Sequence, residues 1–137
     1  MNAIPASILV VDDSEVNRLL VAATLRREGY RILEASGGAS GLEAIARESP
    51  DLVILDLMMP GMDGAEMMLR LRSRTGPAAP RVLLMTALSE TESLAKAREV
   101  GADDHLLKPF SPPDLRVRVR ELLAPRRAGA PKDDVSA

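Results

Sequence analysis

Cysteine and tryptophan are absent from this sequence, and tyrosine and phenylalanine occur once each. Without a thiol there is no disulfide, no thiolate nucleophile and no cysteine-ligated zinc. The absence also fits a reducing compartment, so the cytoplasm is the expected location. With aromatics at 1%, the interior has to be built from Val, Leu, Ile, Ala and Met. Neither sign of charge dominates: 18 Lys and Arg stand against 20 Asp and Glu, for a net charge of −2. Such a surface makes no positive field to gather phosphate backbones or anionic lipid, so direct contact with nucleic acid is not expected. No apolar run approaches the roughly 18 residues of a membrane span. Met1 to Ser7 lacks the basic-then-apolar pattern of a secretory leader, so neither spanning nor export is expected. What is present is a chain of 137 residues with 46% hydrophobic side chains, enough for one domain with a real core.

Short apolar runs alternate with helical patterns from Ser7 to Leu123, the rhythm of repeated β-α units around a parallel sheet. The expected strands are Ile8 to Val11, Arg31 to Glu34, Leu52 to Leu55, Val82 to Met85 and His105 to Leu107, mostly apolar as befits strands covered on both faces. The first helix is expected to begin near Asp13 and Ser14, to carry Val16, Leu19, Leu20 and Ala23 on one side, and to stop at Gly29. A capping box, Ser89 with Glu92, opens the fourth helix, which ends before Gly101. Ser111, Pro112, Pro113 and Asp114 open the fifth, which then repeats apolar residues at Leu115, Val119, Leu122 and Leu123. The reading is one domain over residues 1–124. From Pro125 to Ala137 the composition cannot bury enough apolar area to offset chain entropy, and this stretch reads as a flexible tail or linker.

In an open parallel sheet, ligands bind beyond the carboxyl ends of the strands, so the polar residues placed there carry the functional information. Here they are Asp12 and Asp13 after the first strand, Asp56 after the third, Thr86 after the fourth, and Lys108 followed by Pro109 after the fifth. Clustered carboxylates repel, and a partly enclosed cleft makes their ionisation costly unless a cation compensates. An all-oxygen set with one lysine suits Mg²⁺, which keeps waters and is usually completed by a phosphate, and that points to phosphoryl chemistry. Taken singly, each acid reads as an ordinary N-cap or loop residue and Thr86 as a strand-end hydroxyl; the constellation is what lifts them.

The segments Val10-Val11-Asp12-Asp13, Leu55-Asp56-Leu57-Met58-Met59-Pro60-Gly61-Met62-Asp63-Gly64, Met85-Thr86-Ala87 and Lys108-Pro109-Phe110, in this order and spacing, resemble the receiver domains of two-component response regulators, and the likeness spans Ser7 to Leu123. The resemblance implies a flavodoxin-like, doubly wound α/β fold, a five-stranded parallel sheet in the order 2-1-3-4-5 with five helices. It implies that Asp56 is phosphorylated by a sensor histidine kinase or phosphotransfer protein. In the same way it implies Mg²⁺ held by Asp13, Asp56 and the main-chain carbonyl of Met58, with Asp12 helping through water. Lys108 would pair with a phosphoryl oxygen, Thr86 would turn toward another, and the Lys108–Pro109 bond would be cis. Such a domain catalyses only its own phosphorylation and dephosphorylation, and it acts on a partner or output domain. Receivers usually carry Tyr or Phe where this chain has His105. The expectation is that His105 still acts as the switch ring, with coupling that weakens on protonation; the bland alternative is a partly exposed strand histidine. Met58 and Leu88 flank the phosphoryl group in this family. Both are apolar here, so hydrolysis is expected to be slow.

Other readings of the same residues are weaker. Gly37, Gly38 and Gly41 lack a following Gly-Lys-Ser/Thr and read as a helix-start loop. The methionines at 58, 59, 62, 67 and 68 read as core and loop filling. A haloacid dehalogenase-type phosphatase needs a second acid two residues after its nucleophile, where Met58 stands. A flavodoxin-like cofactor binder would not line its pocket with acids. The stretch Gly101 to Pro112, with Asp114 and Arg118, resembles the receivers of winged-helix transcription regulators, which dimerise through helix 4, strand 5 and helix 5. Arg116, Arg118 and Arg120 give helix 5 a cationic side, while Leu94 sits where many of that group carry lysine. The output is thus either a stand-alone regulator or a receiver cut from a longer DNA-binding chain.

Overall fold

Strands that are mostly apolar need helices on both faces, and the alternating element order supplies them. The computed structural model describes residues 5–75 and 80–124; the expected tail, Pro125 to Ala137, lies outside them. In chain order the elements are β1 (Ser7–Val11), α1 (Glu15–Arg26), β2 (Arg31–Ala35), α2 (Gly38–Glu48), β3 (Leu52–Asp56), α3 (Gly64–Thr75), β4 (Arg81–Thr86), α4 (Glu90–Val100), β5 (Asp104–Leu107) and α5 (Pro112–Leu123). The five strands form one parallel sheet in the order β2-β1-β3-β4-β5. The chain is therefore a doubly wound, flavodoxin-like α/β domain, and the turnaround in strand order falls between β1 and β3.

Alternate strand residues feed two cores. Leu9, Val11, Val53, Leu55, Val82 and Leu84 face the side covered by α2 and α3. Ile8, Val10, Leu52, Ile54, Leu83 and Met85 face α1 and α5, against Val21, Leu25, Leu115 and Val119. Each fully buried aliphatic side chain stabilises the fold by about 1.5–3 kcal/mol, so two such layers hold the sheet's carboxyl edge in place without aromatic help. The helix starts sit where the capping chemistry puts them. Ser14, Ser89 and Ser111 are N-caps whose hydroxyls accept from the amides of Asn17, Glu92 and Asp114. Gly101 closes α4 at φ +78, a left-handed conformation that only glycine adopts without strain.

The first helix corrects one expectation. Val16, Leu19 and Leu20 are exposed, at 66%, 52% and 55%, as is Ala23, and the buried stripe is Val21, Ala22 and Leu25. Apolar residues occupy most of the helix circumference, so periodicity allows two stripes. The stripe that faces the sheet is led by Arg18, a charged residue that disguises it. The helix also ends earlier than expected, at Arg26, with Gly29 at φ +92 in the turn beyond. Met67, Met68 and Met59 fill the core as expected, while Met58 lies outside it, 65% exposed.

Candidate functional site

The chain leaves β1, β3, β4 and β5 at one edge of the sheet, and their terminal residues meet there. Asp12 and Asp56 are buried, at 2% and 5% exposure, while Asp13 is exposed. One carboxylate oxygen from each of Asp12, Asp13 and Asp56 lies within 4.8 Å of the others. The Lys108 ammonium, carried past β5, reaches in to Asp56 Oδ1 at 3.2 Å and Asp12 Oδ2 at 3.4 Å. The Lys108–Pro109 peptide is cis.

Asp12 is fully engaged, because its Oδ1 accepts from the Ser14 amide at 2.9 Å while Oδ2 faces Lys108. Asp56 is not. Its Oδ1 takes both Lys108 and the Met58 amide, the latter at 3.2 Å, and no partner among the described residues contacts Oδ2. Burial pushes the Asp56 carboxyl above its ordinary range; the Asp12 charge adds to that, and Lys108 and the Met58 amide only partly oppose it. The neighbourhood thus carries more negative charge than one ammonium offsets, and its donors are all oxygens. That donor set fits a hard divalent cation such as Mg²⁺, with Asp13 on the open side. Thr86 is fully buried, and its hydroxyl accepts from the Leu88 amide at 3.0 Å. Its carbonyl accepts from the Lys108 amide at 2.8 Å, which ties the threonine and lysine strands together.

His105 lies apart from the acids, on the outer strand. It is buried, and its Nε2 lies 3.2 Å from Glu90 Oε1 at the start of α4. Its carbonyl accepts from Arg118, whose guanidinium also pairs with Asp104 and Asp114.

Three residues bear on the site that sequence reasoning passed over. The Arg18 guanidinium donates to the Asp12 carbonyl at 2.7 Å and pairs with Glu34 at 3.3 Å, so β2 and α1 jointly hold the backbone of the acidic pair. The signal was the i, i+3, i+4, i+7 spacing of Arg18, Val21, Ala22 and Leu25. Gly64 passes so close to β3 that an added Cβ would lie 2.8 Å from the Asp56 carbonyl oxygen and from Leu57 Cα. At the opposite edge of the sheet a groove of about 680 Å³ runs past Leu42, Ile45, Asp51, Leu71 and Arg81, far from these acids.

Sheet order and cleft together define the class: a flavodoxin-like α/β domain with an acid cluster and one lysine at its topological switch point. Residues 8–120 match the family model of the response regulator receiver domain, and the chain belongs to that family. It is 41% identical to the probable transcriptional regulatory protein TcrX of Mycobacterium tuberculosis, across 97% of this chain and 55% of that one. It is 37% identical to sporulation initiation phosphotransferase F of Bacillus subtilis, across 85% of this chain and 92% of that one. The chain spans about half the length of the transcriptional regulators it matches. Among solved structures, the chemotaxis protein CheY4 of Vibrio cholerae superimposes with a TM-score of 0.81 at 31% identity, covering 88% of this chain and all of that one.

Proposed function

We propose that this receiver takes a phosphoryl group onto Asp56 from a phosphohistidine and relays the change through Thr86 and His105. The observation that carries this is the single oxygen of a buried, acid-flanked carboxylate that has no partner among the described residues. Asp56 Oδ2 is left open while Oδ1 is held by Lys108 and the Met58 amide. Attack by Oδ2 on phosphorus breaks the P–N bond, the imidazole departs, and a mixed anhydride results. Lys108, already 3.2 Å from this carboxylate, would then pair with a phosphoryl oxygen. Asp12, Asp13, Asp56 and the Met58 carbonyl would hold Mg²⁺, which offsets charge on the group in transfer. The Thr86 hydroxyl would leave the Leu88 amide for the phosphoryl group, loosening the turn into α4.

Residues 1–124 would act as the receiver and 125–137 as tail or linker, with no turnover of outside substrates. No helix among the described residues is long and apolar enough to cross a membrane, and a cytoplasmic setting with a sensor kinase or phosphotransfer protein follows from the reading. The output partner would be another protein or an output domain, with no direct contact between this module and nucleic acid. A second reading, a receiver working within a longer DNA-binding regulator, is favoured by the matches to proteins named as transcriptional regulators. To test the core claim, the chain is incubated with Mg²⁺ and a small phosphodonor and its intact mass followed. One alkali-labile phosphoryl group should appear, none in Asp56→Asn and none without divalent cation. An adduct that persists in Asp56→Asn ends the proposal.

A further inference from the structure

One methionine behaves differently from its neighbours. Met58 is 65% exposed, whereas Met59, Met67, Met68 and Met85 are 7%, 0%, 1% and 2% exposed. The backbone explains this. The Leu57 amide donates to the Met85 carbonyl at 2.9 Å and prolongs the alternation of β3, so Leu57 turns in, Met58 out and Met59 in again. The Met58 thioether contributes nothing to the core. Yet it is rooted at the residue whose amide donates to Asp56 Oδ1 at 3.2 Å, beside the acceptor carboxylate.

We propose that Met58 is a site of two-electron oxidation, and that its sulfoxide shortens the life of a phosphoryl group on Asp56. The proposal rests on the phosphorylation reading above. The oxidant is a hydroperoxide: the Met58 sulfur attacks one peroxide oxygen, an S–O bond forms as the O–O bond breaks, and sulfur gives up two electrons. The departing oxygen takes a proton and leaves as water from hydrogen peroxide, or as an alcohol from an organic peroxide. Exposure governs the rate of this reaction, which sets Met58 apart from those four buried thioethers and from Met62, which is half-buried against the core. As a thioether, Met58 orients no water, and Leu88 at the start of the β4–α4 turn orients none either. The sulfoxide oxygen is a hydrogen-bond acceptor. It holds a water beside the phosphoryl group, and an oriented water is what hydrolysis of the anhydride lacks. Peroxide thereby becomes a second input that switches the domain off sooner.

The test has two measurements on the full chain. Under dilute hydrogen peroxide, tandem mass spectrometry of its peptides should show Met58 oxidised about tenfold faster than Met59, Met67, Met68 and Met85. Phosphoryl lifetime after loading from a small phosphodonor should then fall about threefold in the oxidised protein. Met58→Gln, a polar mimic of the sulfoxide, should have the short lifetime without peroxide, and Met58→Leu should not respond to peroxide at all. Oxidation of Met58 no faster than of the buried methionines overturns the site. Selective oxidation with an unchanged lifetime, or a response that persists in Met58→Leu, overturns the control. A chain that oxidises at Met58 first but takes up no phosphoryl group refutes the phosphorylation reading by a separate measurement, and the lifetime claim with it.

Discussion

Asp56 ionises at a cost, because burial and the charge on Asp12 both favour its protonated form and Lys108 offsets them only in part. A carboxyl whose value is raised on folding binds its proton more tightly in the native state, so stability falls as pH rises from the ordinary carboxylate range through the raised one. Above that window the penalty is present in full. In chelator, Asp56→Asn should therefore melt higher than the unmutated protein at neutral pH, with the gap closing as pH falls below the ordinary range. Mg²⁺ should raise the melting temperature of the unmutated protein more than that of Asp56→Asn. Thermal melts from pH 3 to 8 with and without Mg²⁺ read both effects, and an asparagine variant that melts lower throughout would mean that Asp56 is structurally needed as a charge.

At the scale of elements, α1 and α4 each carry a side chain that reaches out to a neighbouring strand. Arg18 on α1 clamps the Asp12 carbonyl and is itself held by Glu34 on β2, which Arg26 also contacts at 3.5 Å. Removing Arg18 takes a positive charge away, which by itself would favour cation binding. Glu34 already neutralises that charge, so loss of the clamp dominates. Arg18→Met should weaken Mg²⁺ binding on the order of tenfold by titration calorimetry, as loss of an outer support for a metal ligand commonly does. Arg18→Lys, which keeps the charge and one donor, should recover part of it. On α4, Glu90 meets His105 of β5, while the Asp104 carboxylate accepts from the His105 amide and Arg118 of α5 holds the His105 carbonyl. The Glu90 contact holds the ring in its present place. Glu90→Ala, which removes that contact, should let the phosphorylated protein populate its activated state more fully, as read from the amide resonances of Thr86 and Leu88, and an unchanged population would sink the idea.

At the scale of the whole molecule, the side formed by α4, β5 and α5 is a candidate surface for self-association. Leu94 and Val117 are exposed there at 37% and 46%, and Arg118 is held by Asp104 and Asp114. If this side pairs on activation, the phosphorylated chain should show a concentration-dependent dimer in sedimentation, and Arg118→Ala should shift it at least about tenfold toward monomer. A monomeric mass for phosphorylated protein at working concentrations would remove the dimer.

Much of this architecture was legible in the residues themselves. The strand runs were placed to within a residue at either end, since the inner strands are short, β-branched and leucine-rich apolar runs and their spacing repeats with the helices between them. Serine caps and Gly101 marked helix ends because those positions answer to local chemistry. The acids and Lys108 stood out because strand-end polar residues are few. What only the tertiary structure decided is which stripe of α1 faces the sheet, that Arg18 and Glu34 hold the acidic pair, that Glu90 meets His105, and that Met58 alone of the six methionines among the described residues lies open. These depend on which surfaces the neighbouring elements cover. Periodicity and capping are properties of a segment, whereas the partner of a side chain on another element is set only when the sheet is assembled.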